Sequence, residues 1–184
     1  YVSEWGWDSD GGSESCTHGE CVSERAQALY AIRGALMLAR TGVDRATWYF
    51  FANENKESSL FTRSGLVSSL TTDFKIKKAF VAWQAFLHHL GDKHFLRVIR
   101  EDEEAWVYEL GKADGTVTHI AAWRPVEGDN NTFTNIEFAS KYRPMSAWKL
   151  EGKNEKGELV KLPKYENGKI KMEVSAVPVV IKVE

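Results

Sequence analysis

The feature that most constrains this chain is a change of rhythm near residue 91. Before it, short apolar runs alternate with helical stretches. After it, only short runs remain, separated by turns. Residues 1–5 read as a strand, with Val2 and Glu4 on one face by the two-residue period. Residues 22–41 read as a helix whose Ala26, Leu29, Tyr30, Ile32, Arg33, Leu36 and Met37 form a broad surface, with Gly42 as its stop. Residues 45–51 are an aromatic, almost continuously hydrophobic run, which predicts a strand buried on both faces, as in a parallel sheet. Asp73 is placed to cap a second helix, whose apolar positions are Ile76, Ala79, Phe80, Val81, Trp83, Phe86, Leu87 and Leu90, and Gly91 ends it. Strand, loop, helix, twice over, implies right-handed parallel crossovers.

From residue 94 the pattern predicts about eight strands, at 95–99, 105–110, 117–123, 132–138, 147–150, 159–162, 170–174 and 179–183. Asp114-Gly115 and Asn167-Gly168 are hairpin turn signals, and residues 153–157 read as a solvated turn. Short strands with turns at this spacing describe an antiparallel β-sandwich. The expected fold class is therefore α/β plus all-β. Two βα units cannot close a barrel alone, so they read as the last quarter of a (β/α)8 TIM barrel. Residues 1–92 are the barrel part and residues 93–184 the sandwich. In such a barrel, active-site residues sit at the C-terminal strand ends and on the loops after them. Glu4 and the long polar loops 6–21 and 52–72 all fall on that face. The chain opens on Tyr1, in mid-strand, so the expectation is that the N-terminal part of a longer protein, with any targeting signal, lies outside these residues.

Composition narrows the function classes. With 43% hydrophobic and 12% aromatic residues a packed core is affordable. A net charge of −2 gives no electrostatic case for nucleic acid or an anionic membrane. No apolar run approaches the roughly 18 residues of a membrane span. Seven tryptophans suit both core packing and stacking on sugar rings. Cys16 and Cys21 are spaced to close a small disulfide loop in an exported protein. The alternative is a metal site using Cys16, His18 and Cys21, with Asp8 or Asp10. Structural zinc wants four ligands, and no second cysteine pair exists. Asp8-Ser9-Asp10-Gly11 lacks the later ligand positions of a calcium loop and reads as a polar turn.

Ser3-Glu4-Trp5-Gly6 at the end of a strand resembles the seventh-strand nucleophile motif of clan A retaining glycoside hydrolases. The elements beyond the motif are similar too: a long helix, the aromatic strand Thr47-Trp48-Tyr49-Phe50-Phe51, and an amphipathic helix ending in Leu90-Gly91-Asp92. The order resembles agarase- and porphyranase-like members, and also xylosidase-like members. The resemblance implies a polysaccharide substrate, with a lean to agar- or porphyran-type galactans, and no cofactor. It implies Glu4 as nucleophile and an acid/base glutamate on a fourth strand, after an asparagine. That strand is absent from these residues, so the chain alone is expected to be inactive and to need the remaining N-terminal barrel segment as its partner.

Trp7, Trp48 and Phe51 are candidate sugar platforms. Trp48 is preferred to Tyr49, since alternation lets one of the two face the barrel lumen. Asn53, Glu54 and His18 are candidate substrate contacts on the loops. Trp83, Trp106, Trp123 and Trp148 read as core, and His88 and His89 carry no assigned chemistry. A secreted, periplasmic or cell-surface location is expected. The competing reading is a non-catalytic carbohydrate-binding or scaffolding module in which Glu4 is structural.

Overall fold

The computed structural model describes residues 1–57 and 60–184. The elements run β1 (Val2–Trp5), α1 (Glu24–Arg40), β2 (Ala46–Trp48) and α2 (Lys78–Leu90). Nine strands complete the chain: β3 (His94–Glu101), β4 (Trp106–Gly111), β5 (Val117–Trp123), β6 (Thr134–Ala139), β7 (Pro144–Lys149), β8 (Glu158–Leu159), β9 (Lys164–Glu166), β10 (Lys169–Val174) and β11 (Val179–Val183). The change from helix to strand falls at residues 91–94, as the sequence indicates.

β1 and β2 pair in parallel, with Val2 opposite Ala46 and Trp5 opposite Trp48. The expectation that residues 45–51 are buried on both faces fails. Ala46 and Thr47 are exposed, and Phe51 is 63% exposed. Among the described residues β2 has no strand neighbour but β1, so its other edge stays open.

α1 is capped by Ser23, whose side chain accepts from the Ala26 amide, and Glu24 and Arg40 complement the helix dipole at its two ends. A mid-helix glycine, Gly34, costs about 0.5–1 kcal/mol of helix propensity. The Trp5 indole explains it: a Cβ at Gly34 would strike the ring at Cζ3.

α2 corrects the sequence reading of its start. Asp73 does not cap it. With φ 62° that residue closes a short 3-10 turn, Leu70–Thr72, by donating its amide to the Leu70 carbonyl. α2 begins five residues later, at Lys78. Its buried face is made of small residues at three-residue spacing, Ala79, Ala82 and Ala85, completed by His89 and Leu90. The bulkier Ile76 and Leu87 are 58% and 59% exposed.

The molecule stacks as layers. The β1–β2 pair lies on one side of the two helices and a six-stranded sheet, ordered β3-β4-β5-β11-β7-β8, on the other. A three-stranded sheet, β6-β10-β9, covers the far face of the six-stranded one. Strand alternation sorts the side chains. Tyr108, Leu110, Ala121, Trp123 and Val180 face the helices and meet Ala28, Ile32, Leu36, Ala79, Ala82 and Ala85. Val107, Ile120, Ala122 and Ile181 face the other way and meet Ile136, Phe138, Ile170 and Val174. The strands buried on both faces are thus β4, β5 and β11, and one core crosses the helix-to-strand boundary. Trp123 is 1% exposed, while Trp83, Trp106 and Trp148 are half-buried. β9 escapes the sequence reading because Lys-Tyr-Glu carries no apolar run. It is paired to β10 through Asn167-Gly168, whose φ values of 50° and 71° suit a tight hairpin turn.

A long connection between β5 and β6 reaches back onto α1. Arg33, on the nominally apolar face of the helix, donates from Nη1 to the Val126 carbonyl (2.6 Å) and from Nη2 to the Gly128 carbonyl (2.7 Å). Tyr30 Oη accepts from the Gly128 amide at 2.6 Å. Arg25 reaches the Asp129 carbonyl and Asn131, each at 2.8 Å. These bonds clamp the strand-rich half to the helical half.

Candidate functional site

The two parallel strands end side by side. The Tyr49 amide donates to the Trp5 carbonyl at 2.8 Å, and Gly6 passes so close to the Tyr49 carbonyl that a Cβ there would collide with it. Glycine is therefore required between the two tryptophans of the motif. Trp5 turns toward α1, and its neighbour Glu4 is left exposed at the strand end.

The tryptophans pack against one another. Trp5 contacts Trp7, Trp48 and Trp83 at centroid distances of 5.7, 5.1 and 6.0 Å, and Trp48 and Trp83 are 6.2 Å apart. Trp48 Nε1 also donates to the Ser64 carbonyl at 3.0 Å. Trp7 leans on Tyr30 of α1 at 4.9 Å. Trp7 and Trp48, both half-buried, thus belong to a ring cluster packed against the helices. Tyr49 follows the end of β2 and contacts other rings. The Tyr49 ring lies 4.1 Å from Phe50 and 6.1 Å from Phe61, a small aromatic surface that sequence reasoning missed. Phe51 stays exposed.

Loop 6–21 is held closed. Cys16 and Cys21 form a disulfide. His18 and Glu57 lie near both sulfurs, but oxidised sulfurs offer no thiolate to a metal. The Asp8 carboxylate is buried, 2.7 Å from His18 Nε2, and accepts the Phe61 amide at 2.5 Å. Asp10 accepts the Cys16 amide at 2.8 Å. Asp8 and Asp10 thus serve the loop's own structure. Glu57, on the second loop, accepts the Thr17 amide (2.6 Å) and the His18 amide (3.2 Å).

Glu14 ties the two loops together. Its carboxylate accepts from Asn53 Nδ2 (2.7 Å), the Ser69 amide (3.0 Å) and Thr72 Oγ1 (2.8 Å), with the Ser69 hydroxyl closer still. Asn53, expected to contact substrate, is instead 5% exposed, and its Oδ1 accepts the Gly65 amide at 2.9 Å. Both ends of its amide are engaged in holding the loops. Glu54 remains exposed at the loop surface. Lys77, fully buried, donates to the carbonyls of Ser9 (3.2 Å) and Arg63 (2.9 Å). Burial lowers its pKa to about 8, against the pull of Glu24, Asp8 and Glu14.

Burial pushes the Glu14 carboxyl up, but the hydrogen bonds from Ser69, Asn53 and Thr72 outweigh it and hold the group at about 2. A folded pKa below the unfolded one stabilises the fold at higher pH. That contribution, about 2–3 kcal/mol, is present above pH 4.5 and is lost as pH falls from there toward 2. Urea unfolding between pH 6 and pH 3 should show this loss in the wild type and a distinctly flatter pH dependence in Glu14→Gln. Equal slopes for the two proteins would contradict the role given to Glu14.

No described helix is long and apolar enough to cross a membrane. No protein-family model matches the chain, and no curated protein does. Solved structures do match. A family 39 glycoside hydrolase from Bacteroides cellulosilyticus WH2 superposes with a TM-score of 0.69 at 19% identity, covering 89% of this chain and 32% of that one. A family 30 subfamily 8 xylanase from Clostridium acetobutylicum gives 0.63 at 10% identity, over 100% of this chain and 42% of that one. A family 30 endoxylanase from Clostridium papyrosolvens C71 gives 0.60 at 11% identity, over 100% and 41%. The chain thus spans between 32% and 42% of the length of these proteins. At such identities the likeness is one of fold: the chain shares its fold with part of these family 39 and family 30 glycoside hydrolases.

Proposed function

We propose that this chain is the C-terminal portion of a retaining glycoside hydrolase that cleaves O-glycosidic bonds of a polysaccharide, with Glu4 as nucleophile. The observation that carries the reading is the position of Glu4. It is an exposed carboxylate at the C-terminal end of the first of two parallel, helix-backed strands, in a fold shared with glycoside hydrolases. β1, α1, β2 and α2 are then the last two βα units of a (β/α)8 barrel, residues 1–92, and residues 93–184 are its β-sandwich. The core continuous between helices and six-stranded sheet supports a buttressing role for that second part.

In this mechanism Glu4 acts ionised. It attacks the anomeric carbon while a second carboxyl protonates the departing oxygen, and a covalent glycosyl-enzyme forms. The second group, now a base, activates water, which releases the sugar with its configuration retained. The two carboxyl groups need a separation of about 5–5.5 Å. The acid/base glutamate belongs to the remaining barrel segment, outside these residues. Tyr49, Phe51 and Phe61 offer apolar surface to a sugar ring, and Glu54 offers a polar contact from its loop, while both ring nitrogens of His18 are engaged within the loop by Asp8 and the Glu20 amide.

The xylanase activities named above are those of the neighbours. For this protein the first substrates to assay are agar- and porphyran-type galactans, with xylan beside them. The Cys16–Cys21 disulfide supports a secreted, periplasmic or cell-surface location. The direct test uses the complete protein and a 2-fluoro glycoside with a good leaving group, which traps the glycosyl-enzyme. Mass spectrometry should find the label on the peptide containing Glu4. A label on another carboxylate would overturn the assignment.

A further inference from the structure

We propose that the aromatic groove along the free flank of α1 is the seat of a single amphipathic α-helix, supplied by the residues that precede Tyr1 in the complete protein. This rests on the reading of the chain as part of a larger barrel. It goes beyond that reading in naming the surface the upstream segment occupies and the side chains that grip it from both halves of this chain.

The groove measures about 510 Å³ and has three walls. Trp5 and Trp7, at the end of β1, form the first. Tyr30, Arg33, Gly34, Met37 and Leu38 of α1 form the second. Trp106, Trp123, Pro125 and Val126, from the strand-rich half, form the third. At about 3.6 residues per turn, Tyr30, Arg33 and Met37 share one flank of α1. Ala28, Ile32 and Leu36 share another, which packs into one core with Ala79, Ala82 and Ala85 of α2. No residue of α2 or β2 lines the groove.

The chemistry of the walls selects the occupant. The only charged group among the lining residues is Arg33, and its guanidinium already serves the carbonyls of Val126 and Gly128. Tyr30 Oη accepts the Gly128 amide. What remains open to solvent is apolar: Met37 is 41% exposed, and Trp7, Tyr30 and Trp106 are half-buried. A sugar or an ion would find almost no hydrogen-bond partner there, whereas the apolar stripe of a helix would find three aromatic rings and a thioether.

The lateral order of the elements says where such a helix comes from. Right-handed crossovers set α1 and α2 in one layer behind β1 and β2. β1 keeps a free edge among the described residues. A further parallel strand at that edge brings its own crossover helix into the same layer, beside α1 and away from α2. The groove lies on that flank. It is also continuous with an interface the chain already makes, since Trp123 belongs to the core shared by both helices and the six-stranded sheet, and Trp106 packs against it. The strand-rich half thereby holds the upstream helix directly, as one wall of its slot, and not only through α1 and α2.

The test is made on the complete protein with the photo-cross-linker p-benzoylphenylalanine in place of Met37. Ultraviolet light should join position 37 to a peptide lying within about 30 residues before Tyr1, the span of one crossover. A cross-link to a more distant segment would overturn the proposal. So would a cross-link between two molecules, which would assign the groove to a second copy. A smaller substitution guards against displacement by the bulky probe. In the complete protein Met37→Cys should be alkylated about tenfold or more slowly than Met145→Cys on β7. In this chain the two methionines are comparably exposed, at 41% and 50%. Equal alkylation rates would overturn the proposal as well. Neither readout involves turnover. A cross-link at the expected place with an active Glu4→Gln enzyme would defeat the catalytic reading alone, and a Glu4-labelled enzyme with the cross-link elsewhere would defeat the helix seat alone.

Discussion

Glu4→Gln in the complete protein is expected to lower kcat by about 10³-fold or more while leaving substrate affinity within a few-fold of wild type. Glutamine keeps the size and hydrogen-bonding outline of the side chain but cannot form the glycosyl ester. Glu4 is exposed at a strand end and makes no core contact, so the substitution should not disturb folding. The position of the strand end is fixed by other groups: Trp5 packed on Gly34, and the Trp5 carbonyl bonded to Tyr49. A structural glutamate, as in a carbohydrate-binding or scaffolding module, predicts the reverse, with no effect on turnover. Steady-state kinetics on the best of the galactan and xylan substrates separate the two. Normal turnover in Glu4→Gln would end the catalytic reading.

Arg33→Met is expected to destabilise the fold by about 3 kcal/mol, one of the larger effects available outside the hydrophobic cores. Methionine replaces the aliphatic stem of the side chain, so the loss is that of the guanidinium. Arg33 is 5% exposed, and its donors satisfy the carbonyls of Val126 and Gly128. Hydrogen bonds from a charged donor contribute roughly 1.5–3 kcal/mol each, and a buried carbonyl left without one bears a desolvation cost. The consequence should also be local. Amide exchange at Gly128, whose N–H is held by Tyr30, should accelerate more than exchange within β4 or β5. Urea unfolding with exchange measured residue by residue checks both parts. A stability loss without faster exchange in 124–133 would mean that the clamp does not couple the helices to the strands.

Much of the layered architecture was legible along the chain. Hydrophobic period identified both helices and most strands, because burying one face of an element leaves its spacing in the sequence. Asn167-Gly168 marked its turn, since two adjacent residues with positive φ need such a pair. β9 left no signal, because a short edge strand buries almost nothing. Asp73 misled in the same way: a left-handed residue ending a 3-10 turn and a helix cap draw on the same residue types.

The site divides along similar lines. Ser3-Glu4-Trp5-Gly6 drew attention to Glu4 and placed it at a strand end, in a fold the chain shares with solved glycoside hydrolases. These are local properties, fixed by neighbours in the chain. Which way the aromatic rings face was not local. Residues 45–51 are so uniformly hydrophobic that periodicity could not say which side chain faces which way. Only the packing of Trp5 against Gly34, Trp48 and Trp83 turned Trp48 toward the helices. The same holds for Asn53 and Arg33, whose residue types suggested a sugar contact and a helix surface. Long-range hydrogen bonds made one a loop anchor and the other a clamp between halves. A sequence records what each element buries; which partner it meets there is decided when the layers close.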